Sequence, residues 1–330
     1  MVNKKSLWSG LVALLCGMTV WITPAQAQRW APSRPVAFVV GSAAGGGIDL
    51  TARLLQRMWE PGQIVKPPVI VINKPGAGNT VAWQYLNERG SDGHAIAIGT
   101  TNLVSNPVMG KNLTGYHDIT PLALLFDDYF ILMVRADSPL RTMADVKQRL
   151  VQDPGALAIG FGPGLGAGTH IAAAVAVKAM GADVTKGRFI PYRNAGDAVA
   201  GMLGGEIDIV SGTAVTAPPF LASGRVRAIG VIAPQRLAGS LAQVPTVKEQ
   251  GVNANLINWR GIVGPKGMRA EHVAFWVQVL ADTNRTELWQ KEMERNFWSP
   301  NFRTGPALDQ FLREQEAVYR AIWAEIGAPK

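Results

Sequence analysis

From residue 36 onward, short apolar runs alternate with stretches whose apolar residues recur every third or fourth position. The runs Val36–Val40, Val69–Ile72, Ala95–Ile98, Leu122–Leu125, Ile131–Val134, Ala156–Ile159, Ile207–Val210 and Val226–Ile232 predict strands. The helical period predicts helices over Leu50–Trp59, Val81–Arg89, Met143–Gln152, Thr169–Met180, Ala195–Leu203, Glu271–Asp282, Glu287–Phe297 and Pro306–Ile326. This alternation predicts an α/β fold with mostly parallel sheets flanked by helices. Glycine and proline cluster between the elements, at Lys74–Gly78 and at Gly160–Gly168.

Two segments read as passages between two units. Phe126–Val134, followed by Arg135-Ala136-Asp137-Ser138-Pro139, reads as a strand leaving one lobe for another. Leu256–Pro265 reads as the return. Two such crossover strands make a hinge. They divide the chain into a first lobe of residues 28–130 and 256–330 and a second lobe of residues 131–255. The C-terminal helices are expected to pack back on the first lobe.

The first strand, Val36–Val40, runs into the small-residue loop Gly41–Gly47 and then a helix. Backbone N–H groups and the positive end of a helix dipole converge there, which makes a cradle for an anion. The loop lacks G-x-G-x-x-G and G-x-x-x-x-G-K-[ST], so it is neither a dinucleotide fingerprint nor a nucleotide P-loop. A carboxylate suits it better. Candidate donors are Ser42, Ala44, Gly45, Gly46 and Gly47, while Asp49 reads as a helix-start residue whose charge would repel an anion. Gly160–His170 repeats the arrangement of strand, glycine loop and helix, with candidates Gly164, Gly166, Ala167, Gly168, Thr169 and His170. Thr100, Thr101 and Asn102 follow another strand, at the carboxyl end where open α/β sheets bind ligands. Arg193 and Arg260 are candidate cations, since a guanidinium can hold a carboxylate with two parallel hydrogen bonds.

The N-terminus changes the compartment. Lys4 and Lys5 precede the apolar stretch Leu11–Val20 and the small-x-small site Ala25-Gln26-Ala27. This reads as a signal peptide, residues 1–27, cleaved before Gln28. The apolar stretch is shorter than the ~20 residues a membrane span needs. Cys16 is the only cysteine of the chain and lies in this leader. The mature chain then has no disulfide, cysteine nucleophile or zinc–thiolate site. The net charge of +8 is scattered rather than run together, which argues against nucleic-acid binding and suits attraction of anionic solutes. His94, His117, His170 and His272 have no metal-ligand spacing, and no metal or organic cofactor is expected. There is no G-x-S-x-G or H-E-x-x-H motif to support hydrolysis.

Several motifs occur in one order through nearly the whole chain: Pro32-Ser33-Arg34-Pro35, Ala43–Asp49, Asn73-Lys74-Pro75-Gly76-Ala77-Gly78, Asp92-Gly93-His94, Gly99-Thr100-Thr101, Pro191-Tyr192, Gly204-Gly205-Glu206-Ile207-Asp208 and Val244–Gly251. In these the chain resembles the periplasmic solute receptors of tripartite tricarboxylate transporters, also called Bug receptors. Val134–Pro139 and Arg260–Pro265 are similar to the tricarboxylate-binding branch. The resemblance implies a two-lobed, type II-like periplasmic binding protein, monomeric and without chemistry of its own. It would close on a small carboxylate and deliver it to large and small membrane permease subunits. A sensor role, presenting the ligand to a signalling kinase, and an enzyme on the same fold are the alternatives. The family position of His170 is kept here, but Ala167 and Gly168 replace the usual serines. Many relatives carry Phe-Asp where this chain has Ser211-Gly212, followed by Thr213. Ser211 and Thr213 are the polar candidates there, and the missing carboxylate suits a plain acid rather than an amino acid. The resemblance also places Arg193 near the cleft.

Overall fold

The computed structural model describes residues 30–60, 64–109 and 114–326. The leader features, from Lys4 to Gln28, lie outside the described residues. Strands β1 (Val36–Val40), β2 (Val69–Asn73), β3 (Ala95–Thr100) and β4 (Ile119–Asp128) open a first sheet. Strands β5 (Phe130–Arg135), β6 (Ala158–Phe161), β7 (Arg188–Pro191), β8 (Ile209–Thr213) and β9 (Val226–Ile232) form a second. Strands β10 (Asn258–Pro265) and β11 (Ser299–Arg303) return to the first. The orders are β11-β4-β10-β3-β1-β2 and β7-β6-β8-β5-β9.

Both sheets are mixed, which revises the mostly parallel expectation. β1 pairs in parallel with β2 and β3, and β6 with β7 and β8. β10 is antiparallel to both β3 and β4, and β5 to both β8 and β9. β5 and β10 are inserted where the chain enters or re-enters a sheet, so no helical crossover dictates their direction, and β11 follows β10 as a further strand antiparallel to β4. The first passage between sheets is direct: β4 ends at Asp128 and β5 begins at Phe130. The second differs from the expected crossing strand. β10 pairs only within the first sheet, and the passage is made by the connection 233–257.

The helices are α1 (Gly47–Trp59), α2 (Thr80–Glu88), α3 (Asn102–Val108), α4 (Met143–Gln152), α5 (Gly168–Ala179), α6 (Ala195–Leu203), α7 (Ala217–Ala222), α8 (Ala270–Arg285), α9 (Glu287–Arg295) and α10 (Gly305–Ile326). Helix α1 starts three residues before the predicted Leu50, and Leu50 itself faces outward. The buried face is Ile48, Ala52, Leu55 and Trp59, one residue per turn. Helix α4 matches its predicted bounds because Thr142 and Asp145 form a capping box and Met143, Val146 and Leu150 share the buried face. Helices α3 and α7 were not predicted. Both are short, and Pro107 and Pro218-Pro219 interrupt any helical signal.

Period-2 alternation in β1 sends Val36, Phe38 and Val40 into one core and Val39 into another. The first core contains Trp59, stacked on Phe38 at 5.8 Å, with Trp276 at 6.0 Å. Trp59 Nε1 donates to Thr283 Oγ1 at 2.9 Å, and Trp276 Nε1 to the Gly93 carbonyl at 2.9 Å. Helices α1 and α8 are thereby locked on the same face of the sheet. Helix α10 packs on α3, β4 and α5, so it touches elements of both sheets rather than the first alone. Among the described residues no helix is long and apolar enough to cross a membrane.

Trp59→Ala should cost about 3–5 kcal/mol of unfolding free energy, whereas Trp59→Phe should cost about 1–2 kcal/mol through the lost bond to Thr283. Denaturant titration of both variants measures the difference.

Candidate functional site

Three helix N-termini meet at one cavity. Helix α1 begins after Gly46, α5 after Ala167 and α6 after Asn194. The cavity measures about 40 Å³, room for about three water-sized groups. Its wall includes Ser42, Gly46, Gly47, Thr100, Thr101, Asn102, Ala167, Gly168, Thr169, Thr213 and Arg260, all anticipated from the sequence. It also includes Ile48, Gly162, Pro163, Asn194, Ala195, Thr216 and Asn258, which were not. The first N–H groups of each helix lack intrahelical partners, so the wall is rich in donors and positive in potential. Arg260 is the one charged residue of the wall, which holds no acid.

Arg260 is set by β10, whose eight residues are all buried. Its Nη1 donates to Asn258 Oδ1 at 2.7 Å and to the Trp259 carbonyl at 3.1 Å. Its Nη2 lies 3.8 Å from Asp128 Oδ2. The ladder to β4 shifts register between Arg260 and Gly261. A Cβ on Gly261 would lie 2.6 Å from the Ala123 carbonyl, so only glycine permits this bulge beside the arginine. Asp128 accepts from the Tyr129 N–H at 2.8 Å and from Asn258 Nδ2 at 2.9 Å. Burial pushes its carboxyl up to about 7, against the opposing pull of Arg260. Burial also pushes Arg260 down, opposed by Asp128. Tyr319 of α10 is fully buried beside Arg260 and Thr101, and burial pushes its phenol well above the usual range. The sequence offered no sign of Asp128 or Tyr319, because each reaches Arg260 only through tertiary packing.

The remaining candidates lie elsewhere. Ala44 and Gly45 are exposed on the outer side of the first loop, where the Gly45 N–H donates to Asp49 Oδ2 at 2.9 Å. Asp49 also accepts from Arg53 Nε and Asn73 Nδ2, which fixes the loop to the helix as a structural residue would. Burial works to raise its carboxyl, and these hydrogen bonds outweigh burial and hold it low. Gly46 has φ −74°, so it does not need glycine for a left-handed conformation as Gly166 does at +78°. Gly164 and Gly166 lie outside the cavity wall, in the turn that leads to α5. The Thr169 hydroxyl donates to the Gly162 carbonyl and the Ser211 hydroxyl to the Thr169 carbonyl, both at 2.7 Å. Both hydroxyls brace the second loop, and Thr169 is also part of the wall.

His170 is also outside the cavity wall. It stacks on Phe161 at 4.6 Å and its Nδ1 accepts from the Gly166 N–H at 3.2 Å. Burial lowers its pKa to about 4, so it is neutral at pH 7. Arg193 is not part of this cavity wall. Its side chain is 80% exposed and paired with Asp197 at 2.8 Å. It borders an outer groove of about 770 Å³ with Pro75, Pro163, Tyr192 and Glu206, and Pro163 lines the cavity as well.

A family model described as "Tripartite tricarboxylate transporter family receptor" matches residues 55–327. The chain belongs to this receptor family. It is thus a binding protein and not an enzyme. It is 29% identical to the "UPF0065 protein in gbd 5'region" of Cupriavidus necator over 98% of this chain and 97% of that one. Its fold is similar to the "periplasmic binding protein BugD", with TM-score 0.81 and 26% identity over 91% of this chain and 99% of that one. It is also similar in fold to "MatC … from Rhodopseudomonas palustris with bound malate", with TM-score 0.78 and 22% identity over 88% of this receptor and 99% of that one.

The raised carboxyl of Asp128 sets a sign for pH dependence. Its folded pKa, about 7, lies above the ordinary aspartate value of 3.8. The folded receptor therefore holds that proton more tightly than the unfolded chain. The resulting stabilisation is full below 3.8 and is lost as pH rises through 7. Unfolding free energy should fall between pH 5 and 8 in the wild type, and the Asp128→Asn variant should show a flatter profile in denaturant melts taken across that range.

Proposed function

We propose that this receptor works in the periplasm, after removal of residues 1–27, and captures a small carboxylate between its two sheets for delivery to a membrane permease. The observation that carries this reading is the convergence of three helix N-termini and one buried arginine on a single wall without an acid. Such a wall favours an anion through backbone donors, the helix dipoles and one guanidinium. It offers no counter-charge for an ammonium, so a plain organic acid fits better than an amino acid. The malate of MatC belongs to this chemical class. The cavity is the size of one carboxylate head, and a longer acid requires the walls to separate. The direct β4-to-β5 passage and the 233–257 connection are the two places where such a hinge would act. The ligand then shifts an open–closed balance only as far as it prefers the closed form.

A thermal-shift screen against malate, succinate, adipate, citrate and benzoate tests the reading. A true ligand at ~100 times its Kd should add about 2.7 kcal/mol to apparent stability. No stabilisation by any carboxylate would remove the proposal. Arg260→Met should weaken binding by about 1.5–3 kcal/mol, the value of a charged hydrogen bond, and calorimetry reads it directly. Gly168→Val should abolish binding, since a Cβ there would lie 2.9 Å from both Thr101 Oγ1 and the Phe130 ring.

A further inference from the structure

We propose that Ser105 is a positioning residue of the receptor site, docking the Gly166 turn against α3 and so fixing the α5 N-terminus over the cavity. The inference rests on the carboxylate reading above. Ser105 is fully buried, does not line the cavity and lies outside the motifs that carry the resemblance. Its Oγ donates to the Gly166 carbonyl at 3.0 Å, alongside Asn102 Nδ2 at the same distance. Both donors stand on α3, attached to the first sheet, whereas Gly166 precedes α5 in the second. These two bonds therefore tie one side of the cavity to the other.

The remaining groups of Gly166 are committed as well. Its N–H donates to His170 Nδ1, one turn into α5, so the tie is passed directly to the helix. A neutral imidazole can accept this bond, and the buried His170 is neutral at pH 7. The turn sits in the left-handed region at φ +78°, and a Cβ on it would lie 2.3 Å from Met109 Sδ. Asn102, the second donor, is itself held: its Oδ1 accepts from Asn79 Nδ2 at 3.3 Å and from Thr100 Oγ1 at 3.4 Å. Only Ala167 separates Gly166 from Gly168, whose backbone lines the cavity. A shift of the Gly166 turn thus moves the anion donors without any change to a residue that meets the ligand. Opening the cavity to release a ligand breaks these bonds, so the tie sets how long a ligand stays.

Ser105→Ala in the full chain removes one bond and keeps a strong helix former in α3. Hydrogen exchange of the ligand-free protein should show the amides of residues 160–170 exchanging about five- to tenfold faster, the loss of one net hydrogen bond, with β1 and α2 unchanged. Gly166→Ala should produce the same local change. Stopped-flow binding of malate, adipate and benzoate should show a koff raised by a similar factor and an unchanged kon. Unaltered exchange across 160–170 in both variants would overturn the proposal, whatever the carboxylates do. Faster exchange with a wild-type koff would overturn the role of the tie in holding ligand. Faster exchange in a protein whose wild type binds none of the three acids would leave the tie standing and count against the carboxylate reading instead.

Discussion

Arg260 is a positive charge in the middle of a sheet, 4% exposed, and the arrangement around it exists to keep it there. An isolated guanidinium would not survive such burial. Here the Asn258 amide, the Trp259 carbonyl and the Asp128 carboxylate stand around it, with the Tyr319 phenol close by. Asp128 lies 3.8 Å away, which is too far for a hydrogen bond, so the pair leaves the cation incompletely satisfied. A cation held in this way beside a donor-rich cavity is prepared for an anion. The same burial explains why β10 must be a central strand: only between β3 and β4 is the arginine both enclosed and next to Thr100–Asn102.

The helix N-termini complete what the arginine begins. Each emerges from a loop whose side chains are occupied in holding the loop: Asp49 for α1, Thr169 and Ser211 for α5, Asn194 for α6. The polar side chains are thereby used to shape the backbone, and the backbone is left to face the cavity. This division suits recognition of a carboxylate by geometry and potential rather than by a particular side chain. It accounts for a wall in which glycine and alanine stand at Gly46, Gly47, Ala167 and Gly168. The two sides of the cavity also touch directly, at Gly166 with α3 and at Gly168 with Thr101 and Phe130. On the proposed reading, affinity and closure are coupled in this one set of contacts.

The sequence alone determined the α/β class, the strand–loop–helix cradles and the family. These are local properties. A β-branched run ending in a glycine loop and a 3.6-period pattern can form only a few structures, and the spacing of Gly41–Gly47 and Gly160–Gly168 places helix starts without knowledge of the rest. Helix α4 was readable to the residue because its cap and its apolar face agree. Arg260 was nameable as a cation able to hold a carboxylate, on the segment read as the return strand.

Tertiary structure alone decided which candidates meet. Arg193 and Arg260 look alike in the sequence, yet one is solvated beside Asp197 and the other buried beside Asp128. His170 sits in a motif, yet its ring is turned to Phe161 and away from the cavity wall. Tyr319 and Ser105 carry no signal at all, since their roles arise from contacts between residues far apart in the chain. The antiparallel insertion of β10 and β5 was equally invisible, because strand direction depends on where the chain re-enters a sheet and not on the residues of the strand. A side chain's environment is set by which elements pack against it, and that packing is a property of the whole fold.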